Sequence, residues 1–180
     1  FIGRPNVLMP PMAFLQKPVR WLRAISKYRV TIAGGPNFAY ALCNEKITPE
    51  QCEGLDLSQW SVAFNGAEPI RAETLEEFSR KFAPYGFRAE THYPCYGLAE
   101  TTLIVTGSVK NELPVVRSFD SEQLEKHIVA EVAEDAATAR CLVGCGRLFP
   151  NTEVLIVDPE SHEKLPEGRV GEIWVAGPCV

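Results

Sequence analysis

Residues 93–101 read Tyr93-Pro94-Cys95-Tyr96-Gly97-Leu98-Ala99-Glu100-Thr101 and follow a short β-like run at Phe87–His92. A glycine after an aromatic residue lets the backbone turn sharply and come close to a ligand. An acidic side chain just past such a turn is placed to reach a metal ion or a hydroxyl group. The stretch therefore predicts a strand that ends in a ligand-binding turn with its acid at Glu100.

Two more glycine-bearing turns precede this one, and each follows a short apolar run that predicts a buried strand. The run Arg29–Ala33 leads into Gly34-Gly35-Pro36, and the run Trp60–Phe64 leads into Asn65-Gly66-Ala67-Glu68-Pro69. Strands spaced roughly 30 residues apart, with helical patterns between them, suit right-handed β-α-β crossovers. Ligands of open α/β sheets bind beyond the carboxyl ends of the strands, so the three turns should line one crevice.

The turns after the first two predicted strands also have a purely structural interpretation. Gly34 and Gly35 could serve only a tight connection between strand and helix. Asn65 and Gly66 could merely end a strand, and Glu68 would be favoured near a helix N-terminus by the helix dipole. An acid at this place disfavours a phosphate cradle and fits the edge of a nucleoside better. The residue pattern alone does not name the ligand.

Helical periodicity and proline placement predict the elements between the turns. Residues 1–16 predict an extended approach with a short strand near Val7–Met9, and a helix follows from Pro18 to Tyr28. A second helix is predicted from the Gly34 turn to Cys43, with Phe38, Ala41 and Leu42 on one face. A third is predicted from Ile70 to about Pro84, and it buries Leu75, Phe78 and Phe82.

The second half of the chain has a different character. Residues 108–140 are polar and rich in acidic residues and alanine, with one short helix indicated by Asp120 and Gln123 as a cap. Val154–Val157 and Val170–Ala176 read as two strands of a hairpin joined by a charged turn.

Composition restricts the function class. The chain has 180 residues and a net charge of −5, which argues against a nucleic-acid partner. No apolar run is long enough to span a bilayer. The six cysteines and three histidines lack the tight pairing of a zinc site, so reduced thiols and a cytoplasmic location are expected. Because the chain opens on Phe1 and stops directly after a predicted strand, we expect a piece of a larger protein.

Three motifs, taken together and in order, resemble those of the adenylate-forming enzymes. They are Gly34–Cys43, Asn65–Pro69 and the Tyr-Gly-x-x-Glu pattern within Tyr93–Thr101. The usual form of the last motif has threonine before the glutamate. Ala99 stands there instead, a departure typical of the fatty acyl-AMP ligases. The extra stretch 108–140 resembles the insertion that separates those ligases from acyl-CoA ligases, so the resemblance covers essentially the whole chain.

The resemblance implies an α/β fold, with a partial doubly wound sheet of β-α-β units followed by an insertion and by strands of a small β-barrel subdomain. The implied divisions are an α/β subdomain with the acyl- and adenine-binding turns at 1–107, a ligase-specific insertion at 108–140, and the start of the barrel at 141–180.

The implied reaction joins a fatty acid to ATP and gives acyl-adenylate and pyrophosphate, with Mg²⁺ as the metal. The acyl group then passes to an acyl carrier protein or a polyketide synthase module. Glu100 is the implied catalytic residue and metal ligand. The implied nucleotide-binding residues are Asn65, Gly66, Ala67, Glu68, Tyr96 and Gly97, and the implied substrate-binding residues are Gly34, Gly35, Phe38 and His92.

Other parts of the family's machinery have no match in this sequence. These are the phosphate loop, the ribose-binding aspartate motif and the C-terminal domain with its lysine, so the isolated chain is expected to be inactive. That C-terminal domain rotates between the two steps in the superfamily, and an insertion at 108–140 could block the pose needed for acyl-CoA synthesis. Two alternatives stay open: part of an acyl-CoA ligase, and a non-catalytic folded binding module.

Overall fold

The structure is a computed structural model that describes residues 5–180. Its helices are α1 (Pro11–Gln16), α2 (Val19–Tyr28), α3 (Asn37–Lys46), α4 (Ala72–Phe82) and α5 (Ser121–Glu125). Its strands are β1 (Ile32–Gly35), β2 (Val62–Asn65), β3 (His92–Tyr96), β4 (Thr106–Gly107), β5 (Val116–Asp120), β6 (Ala139–Val143), β7 (Arg147–Leu148), β8 (Glu153–Val157) and β9 (Glu172–Ala176). Short 3₁₀ turns lie at Pro49–Cys52, Ala83–Tyr85, Ala89–Thr91 and Ala99–Thr101.

The main sheet has five strands in the order β1-β2-β3-β4-β7. The first three are parallel, and β4 and β7 add to them in antiparallel orientation. Because α3 lies between β1 and β2, and α4 between β2 and β3, the predicted β-α-β units are confirmed. Strands β8 and β9 pair as the predicted hairpin, but no closed barrel forms within residues 5–180.

One aromatic core joins helices α2, α3 and α4 to the parallel strands. Val19, Leu22 and Ile25 of α2 are buried there, as the helical spacing predicts. The ring of Trp60 meets Trp21 edge to face, and its indole N–H donates to the carbonyl oxygens of Ala33 and Val62. Phe78 likewise meets Tyr40, Trp60 and Phe87 edge to face, which such ring pairs prefer over flat stacking.

The opposite face of the parallel strands is less covered. In β2, Ala63 and Asn65 are fully buried, whereas Phe64 between them keeps 40% of its surface exposed. This alternation is the period of two that a strand imposes on its side chains. The aromatic core therefore packs against one face of the parallel strands, and Phe64 lies on the other face.

The structure corrects the predicted face of α3. The predicted apolar face with Phe38, Ala41 and Leu42 is not the buried one: Phe38 is 49% exposed, and the buried residues are Asn37, Ala39, Tyr40 and Cys43. Apolar residues lie on every side of this helix, so their spacing does not select a face. Its orientation is instead fixed by contacts with α4, described below.

Several strand predictions were displaced along the chain. Strand β1 begins at Ile32 because Arg29 ends α2 in a left-handed conformation with φ of 50°. Strand β3 begins at His92, where the predicted run ended, since Phe87 is buried by the core and residues 89–91 form a 3₁₀ turn. Val7–Met9 is not a strand, and the first four residues of the predicted extended approach lie outside the described residues.

Residues 108–140 contain more regular structure than their sequence predicts. Strands β5 and β6 pair along their length, and β6 runs past residue 140 to Val143. The predicted cap of α5 is confirmed, because a carboxylate oxygen of Asp120 accepts from the backbone N–H of Gln123 at 2.9 Å. None of the helices within residues 5–180 has the length and apolar character needed to cross a membrane.

Candidate functional site

The ends of the three parallel strands meet at one edge of the sheet. Gly35 of β1 lies beside Asn65 of β2, which lies beside Pro94 of β3. The turns that follow these strands therefore leave the same edge, as parallel pairing requires. The five predicted residues Gly34, Gly35, Asn65, Gly66 and Tyr96 lie on or next to it.

The turn after β2 has two features of a ligand site. Asn65 is completely buried, and neither polar atom of its amide has a hydrogen-bond partner among residues 5–180. Buried polar groups are normally paired, so this amide is available for a partner that the described residues do not supply. Ala67 has a φ of 72°, a left-handed conformation that non-glycine residues adopt at a cost.

The same turn packs directly against the Tyr-Gly motif. A Cβ atom on Gly66 would lie 2.9 Å from the carbonyl oxygen of Cys95, so a side chain there would push the two segments apart. The thiol of Cys95 also donates to the carbonyl oxygen of Asn65 at 3.4 Å. Glycine is therefore needed at position 66 because it lets the turn after β2 approach the backbone of Cys95 closely.

Gly34 has a packing role that its sequence context did not reveal. A Cβ there would lie 2.1 Å from the carbonyl oxygen of Phe64 and within 2.6 Å of its ring atoms. The space left by the missing side chain is thus filled by Phe64, so the absence of a side chain at Gly34 serves the packing of the two strands. Gly35 differs, because a Cβ there would make ordinary contact with Ala39 at 3.5 Å.

Hydrogen bonds join the turn after β2 to the start of α3. The Glu68 carboxylate accepts from the backbone N–H of Phe38. The side-chain oxygen of Asn37 accepts from the backbone N–H of Arg71 at 3.2 Å, and its amide nitrogen lies 3.4 Å from the hydroxyl of Thr74. The predicted acyl and adenine turns are therefore held together by a polar contact that bridges 30 residues of sequence.

The Tyr-Gly motif doubles back on itself after β3. The backbone N–H of Val105 donates to the carbonyl oxygen of Tyr96 at 2.9 Å, which closes a loop over residues 97–104. Thr101 is buried and its hydroxyl donates to the carbonyl oxygen of Leu98 at 3.0 Å. Glu100 lies on this 3₁₀ turn with its side chain exposed at the carboxyl edge.

A single exposed carboxylate suits one kind of metal binding. Within residues 5–180, no three histidine, cysteine or acidic side chains cluster closely enough to hold a metal ion by themselves. Mg²⁺ commonly keeps several waters and is held by one or two carboxylates together with substrate phosphates. Glu100 therefore fits a Mg²⁺ ion that arrives with a nucleotide, and does not fit a metal site built from protein ligands alone.

His92 is not among the residues at this edge. It begins β3 with 2% of its surface exposed, and its Nε2 lies 3.1 Å from both the Leu75 carbonyl oxygen and the Ser79 hydroxyl. Its ring also contacts Tyr40 and Phe87. We assign His92 to the core rather than to the substrate site.

Burial of His92 predicts a pH-dependent stability. Desolvation lowers its pKa from 6.5 to about 4, against a smaller opposing effect of its hydrogen bond to Leu75. As pH falls from about 6.5 to 4, the unfolded chain takes up this proton and the folded chain does not. The free energy of unfolding should then decrease by at most about 3 kcal/mol.

Urea unfolding of the chain between pH 7 and 4 measures this effect. A His92→Gln variant should lose less stability with acid than the parent, whereas a His127→Asn variant, changed at an exposed histidine, should follow the parent. Equal acid dependence in parent and His92→Gln would show that His92 does not contribute.

Two residues at this edge escaped the sequence prediction. Asn37 follows Gly-Gly-Pro at the first position of α3, and its side-chain amide forms hydrogen bonds with Arg71 and Thr74. Phe64 is the exposed residue of β2 that covers Gly34. The Asn37 position carries a weak sequence signal, but nothing in the sequence indicates that Phe64 would cover a glycine on the adjacent strand.

These features define an α/β protein with a crevice of three glycine-bearing turns, an unpaired buried amide at Asn65 and an exposed acid on the Tyr-Gly turn. The chain belongs to the AMP-binding enzyme family, whose sequence profile matches residues 1–180. The adenylate-forming resemblance of its three motifs is thereby confirmed at the level of the family.

Characterised relatives are similar over nearly the whole chain. The medium-chain fatty acid–acyl carrier protein ligase TtuA of Teredinibacter turnerae is 45% identical over 177 residues, covering 98% of this chain and 27% of the relative. The corresponding ligase JamA of Moorena producens is 46% identical over 182 residues, covering 100% of this chain and 31% of the relative. The chain thus spans about 30% of the length of these relatives.

The fold also matches a solved structure. The fatty acyl-adenylate ligase of L. pneumophila, in complex with acyl adenylate and pyrophosphate, superposes with a TM-score of 0.89 at 46% identity. The match covers 94% of this chain and 29% of that protein. This chain is therefore similar in fold and sequence to part of a fatty acyl-adenylate ligase that binds acyl adenylate and pyrophosphate.

Proposed function

We propose that this chain forms the acyl- and adenine-binding part of a fatty acyl-AMP ligase. A protein that carries this chain together with the remaining length of its relatives is the full-length enzyme. It activates a fatty acid with ATP to give acyl-adenylate and pyrophosphate, and passes the acyl group to an acyl carrier protein or a polyketide synthase module. A cytoplasmic location agrees with these substrates.

The convergence of three turns at one sheet edge carries this proposal. The backbone at Gly66 and Ala67 borders the adenine, with Tyr96 and Gly97 on the other side of the same crevice. The unpaired amide of Asn65 is available nearby for a hydrogen bond. Phe38, half-exposed at the start of α3, forms a wall of the acyl site, with Gly35 beside it.

The chemistry needs little covalent work from the protein. An oxygen of the fatty acid carboxylate attacks the α-phosphorus of ATP, and pyrophosphate leaves. Two negatively charged reactants must be held in line, so positioning and charge neutralisation dominate the catalytic effect. Glu100 would hold Mg²⁺, which supplies that neutralisation at the phosphates when bound.

Fatty acid-dependent exchange of pyrophosphate into ATP tests the proposal. The full-length enzyme should show exchange with a straight-chain fatty acid and none when the acid is omitted. A panel of acids from short to long defines the preferred chain length. Exchange that depends on amino acids, or no exchange with any acid, would contradict the proposed substrate class.

We further propose a division of the chain into an α/β part at 1–107, an insertion at 108–140 and a following β part. The hydrogen bond from the Gly144 N–H to the Val115 carbonyl oxygen, 2.8 Å long, closes the β5–β6 unit at its base. The two ends of the β5–β6 unit are therefore adjacent, and residues 116–143 can be replaced by a short linker. A deletion that ended at residue 140 would instead cut strand β6, which runs from Ala139 to Val143.

The insertion is attached to the β8–β9 hairpin region by backbone hydrogen bonds. The N–H of Val129 donates to the Gly168 carbonyl oxygen at 2.8 Å, and the N–H of Val170 donates to the His127 carbonyl oxygen at 3.0 Å. Leu113 and Val115, which precede β5, are 62% and 58% exposed and are not buried against the rest of the chain. Phe119, Leu124 and Ile128 within this unit are half-buried.

Replacing residues 116–143 of the full-length enzyme by a short Gly/Ser linker should leave adenylation within about threefold of the parent, because the three turns lie outside the insertion. We expect acyl-CoA to form at saturating coenzyme A, since the rotated domain pose is no longer blocked. Product analysis by mass spectrometry measures both steps.

An Arg117→Ala variant serves as the control for this deletion. It removes only the exposed ion pair with Glu131 and should make no acyl-CoA. A trimmed enzyme that adenylates normally but makes no acyl-CoA would show that the insertion is not the barrier. The alternative of an acyl-CoA ligase would instead be favoured if the untrimmed parent made acyl-CoA.

A further inference from the structure

Helix α3 is held at both ends by groups from the β2–α4 segment. At its N-terminus the Glu68 carboxylate accepts from the Phe38 N–H. At its C-terminus the Lys81 ammonium donates to the carbonyl oxygens of Asn44 and Cys43. An acid at the first turn and a base at the last turn are the arrangement that the helix dipole favours.

The helix cannot cap its own N-terminus. It is preceded by Pro36, which has no polar side chain, and its first turn contains no acidic residue. The first N–H groups of a helix have no intrahelical acceptor and need one from elsewhere. Glu68 supplies a charged acceptor to one of them, and hydrogen bonds to charged groups are the stronger class.

The position of Glu68 in the chain gives this contact a consequence for the site. Glu68 directly follows Ala67 in the turn proposed to border adenine, and Phe38 is the proposed wall of the acyl site. One side chain therefore connects the segment that places the nucleotide to the segment that places the acid. Asn37 reinforces the connection through the Arg71 N–H and the Thr74 hydroxyl.

We infer that Glu68 is a positioning residue that sets the acyl turn relative to the adenine turn. This inference rests on the proposed function and deepens it, because the carboxylate and the α-phosphorus must meet within a narrow range of distance and angle. A displacement of about 1 Å can cost on the order of 10²-fold in rate. Glu68 acts through α3, so its loss should lower kcat/KM for the fatty acid more than it changes the KM for ATP.

Three variants of the full-length enzyme separate this role from nucleotide binding. Glu68→Ala should lower kcat/KM for the fatty acid about tenfold and leave the KM for ATP within about twofold. Glu68→Gln should recover most of this loss, since its amide oxygen still accepts from the Phe38 N–H. Glu73→Ala, an exposed acid in the first turn of α4, should match the parent.

Hydrogen exchange gives a readout that does not depend on catalysis. The amides of Phe38 and Ala39 should exchange faster in Glu68→Ala than in the parent, and should be unchanged in Glu73→Ala. Because Glu68 is exposed, we expect its variants to fold, and thermal melting checks this. Glu68→Ser replaces the alanine variant if the latter does not fold.

A rise in the KM for ATP alone, with unchanged exchange at Phe38, would overturn the inference and make Glu68 a nucleotide ligand. Failure of the proposed function looks different, because the parent itself would then show no fatty acid-dependent pyrophosphate exchange. The hydrogen-exchange comparison still decides in that case: unchanged exchange at Phe38 in Glu68→Ala overturns the positioning role.

Discussion

Glu100→Gln in the full-length enzyme should lower the kcat of adenylate formation by about 10²–10³-fold while the fold is retained. The substitution removes one negative charge from the only acid on the turn after β3, and glutamine is a poor ligand for Mg²⁺. The exposure of Glu100 means that no packing is lost with the change. The effect should therefore fall on turnover and on the Mg²⁺ concentration that saturates it.

Pyrophosphate release by purified parent and variant measures this effect across a series of Mg²⁺ concentrations. Glu90→Gln is a matched control, because Glu90 is an exposed acid on the 3₁₀ turn just before β3. Its turnover should equal that of the parent. Near-parental turnover in Glu100→Gln would show that Glu100 has no part in holding the metal.

Gly97→Ala should disrupt the same motif through its backbone. A Cβ at Gly97 would lie 1.6 Å from the carbonyl oxygen of Leu103 and 2.9 Å from the Cα of Ile104. Both contacts are with backbone, so they cannot be relieved by rotating a side chain. The loop that closes from Tyr96 to Val105 must open, at a cost of about 2–4 kcal/mol, and adenylation should fall by at least about 100-fold.

Gly144→Ala is the matched control for this backbone effect. A Cβ there makes ordinary contact with Val115 at 3.5 Å, and the variant should melt and turn over like the parent. Thermal melting and pyrophosphate exchange together test the prediction. Parental melting and turnover in Gly97→Ala would mean that the loop does not need the close approach seen in the structure.

The order of strands and helices could be predicted because local pattern and burial agree there. Leu75, Phe78 and Phe82 recur at helical spacing and are all buried on α4. Helix α3 has no such stripe, and its buried face depends on Asn37, which binds residues more than 30 positions away. A pattern within one helix cannot contain that information.

The site was predictable in its turns but not in the contacts among them. Parallel strands bring their carboxyl ends to one edge, so the grouping of Gly35, Asn65 and the Tyr-Gly motif follows from topology. The Phe64 ring over Gly34 and the Glu68 contact with Phe38 depend on how neighbouring strands and helices pack. The burial of His92 at the start of β3 was not predictable, because a histidine near a ligand turn and a histidine in the core look alike in sequence.

Isotope transfer from the fatty acid tests the central claim most directly. A fatty acid labelled with ¹⁸O in both carboxyl oxygens is incubated with the full-length enzyme, ATP and an acyl carrier protein, and the released AMP is analysed by mass spectrometry. If the carboxylate attacks the α-phosphorus and the carrier thiol then attacks the acyl carbon, the AMP carries one ¹⁸O. AMP without ¹⁸O would contradict the formation of an acyl-adenylate at this site.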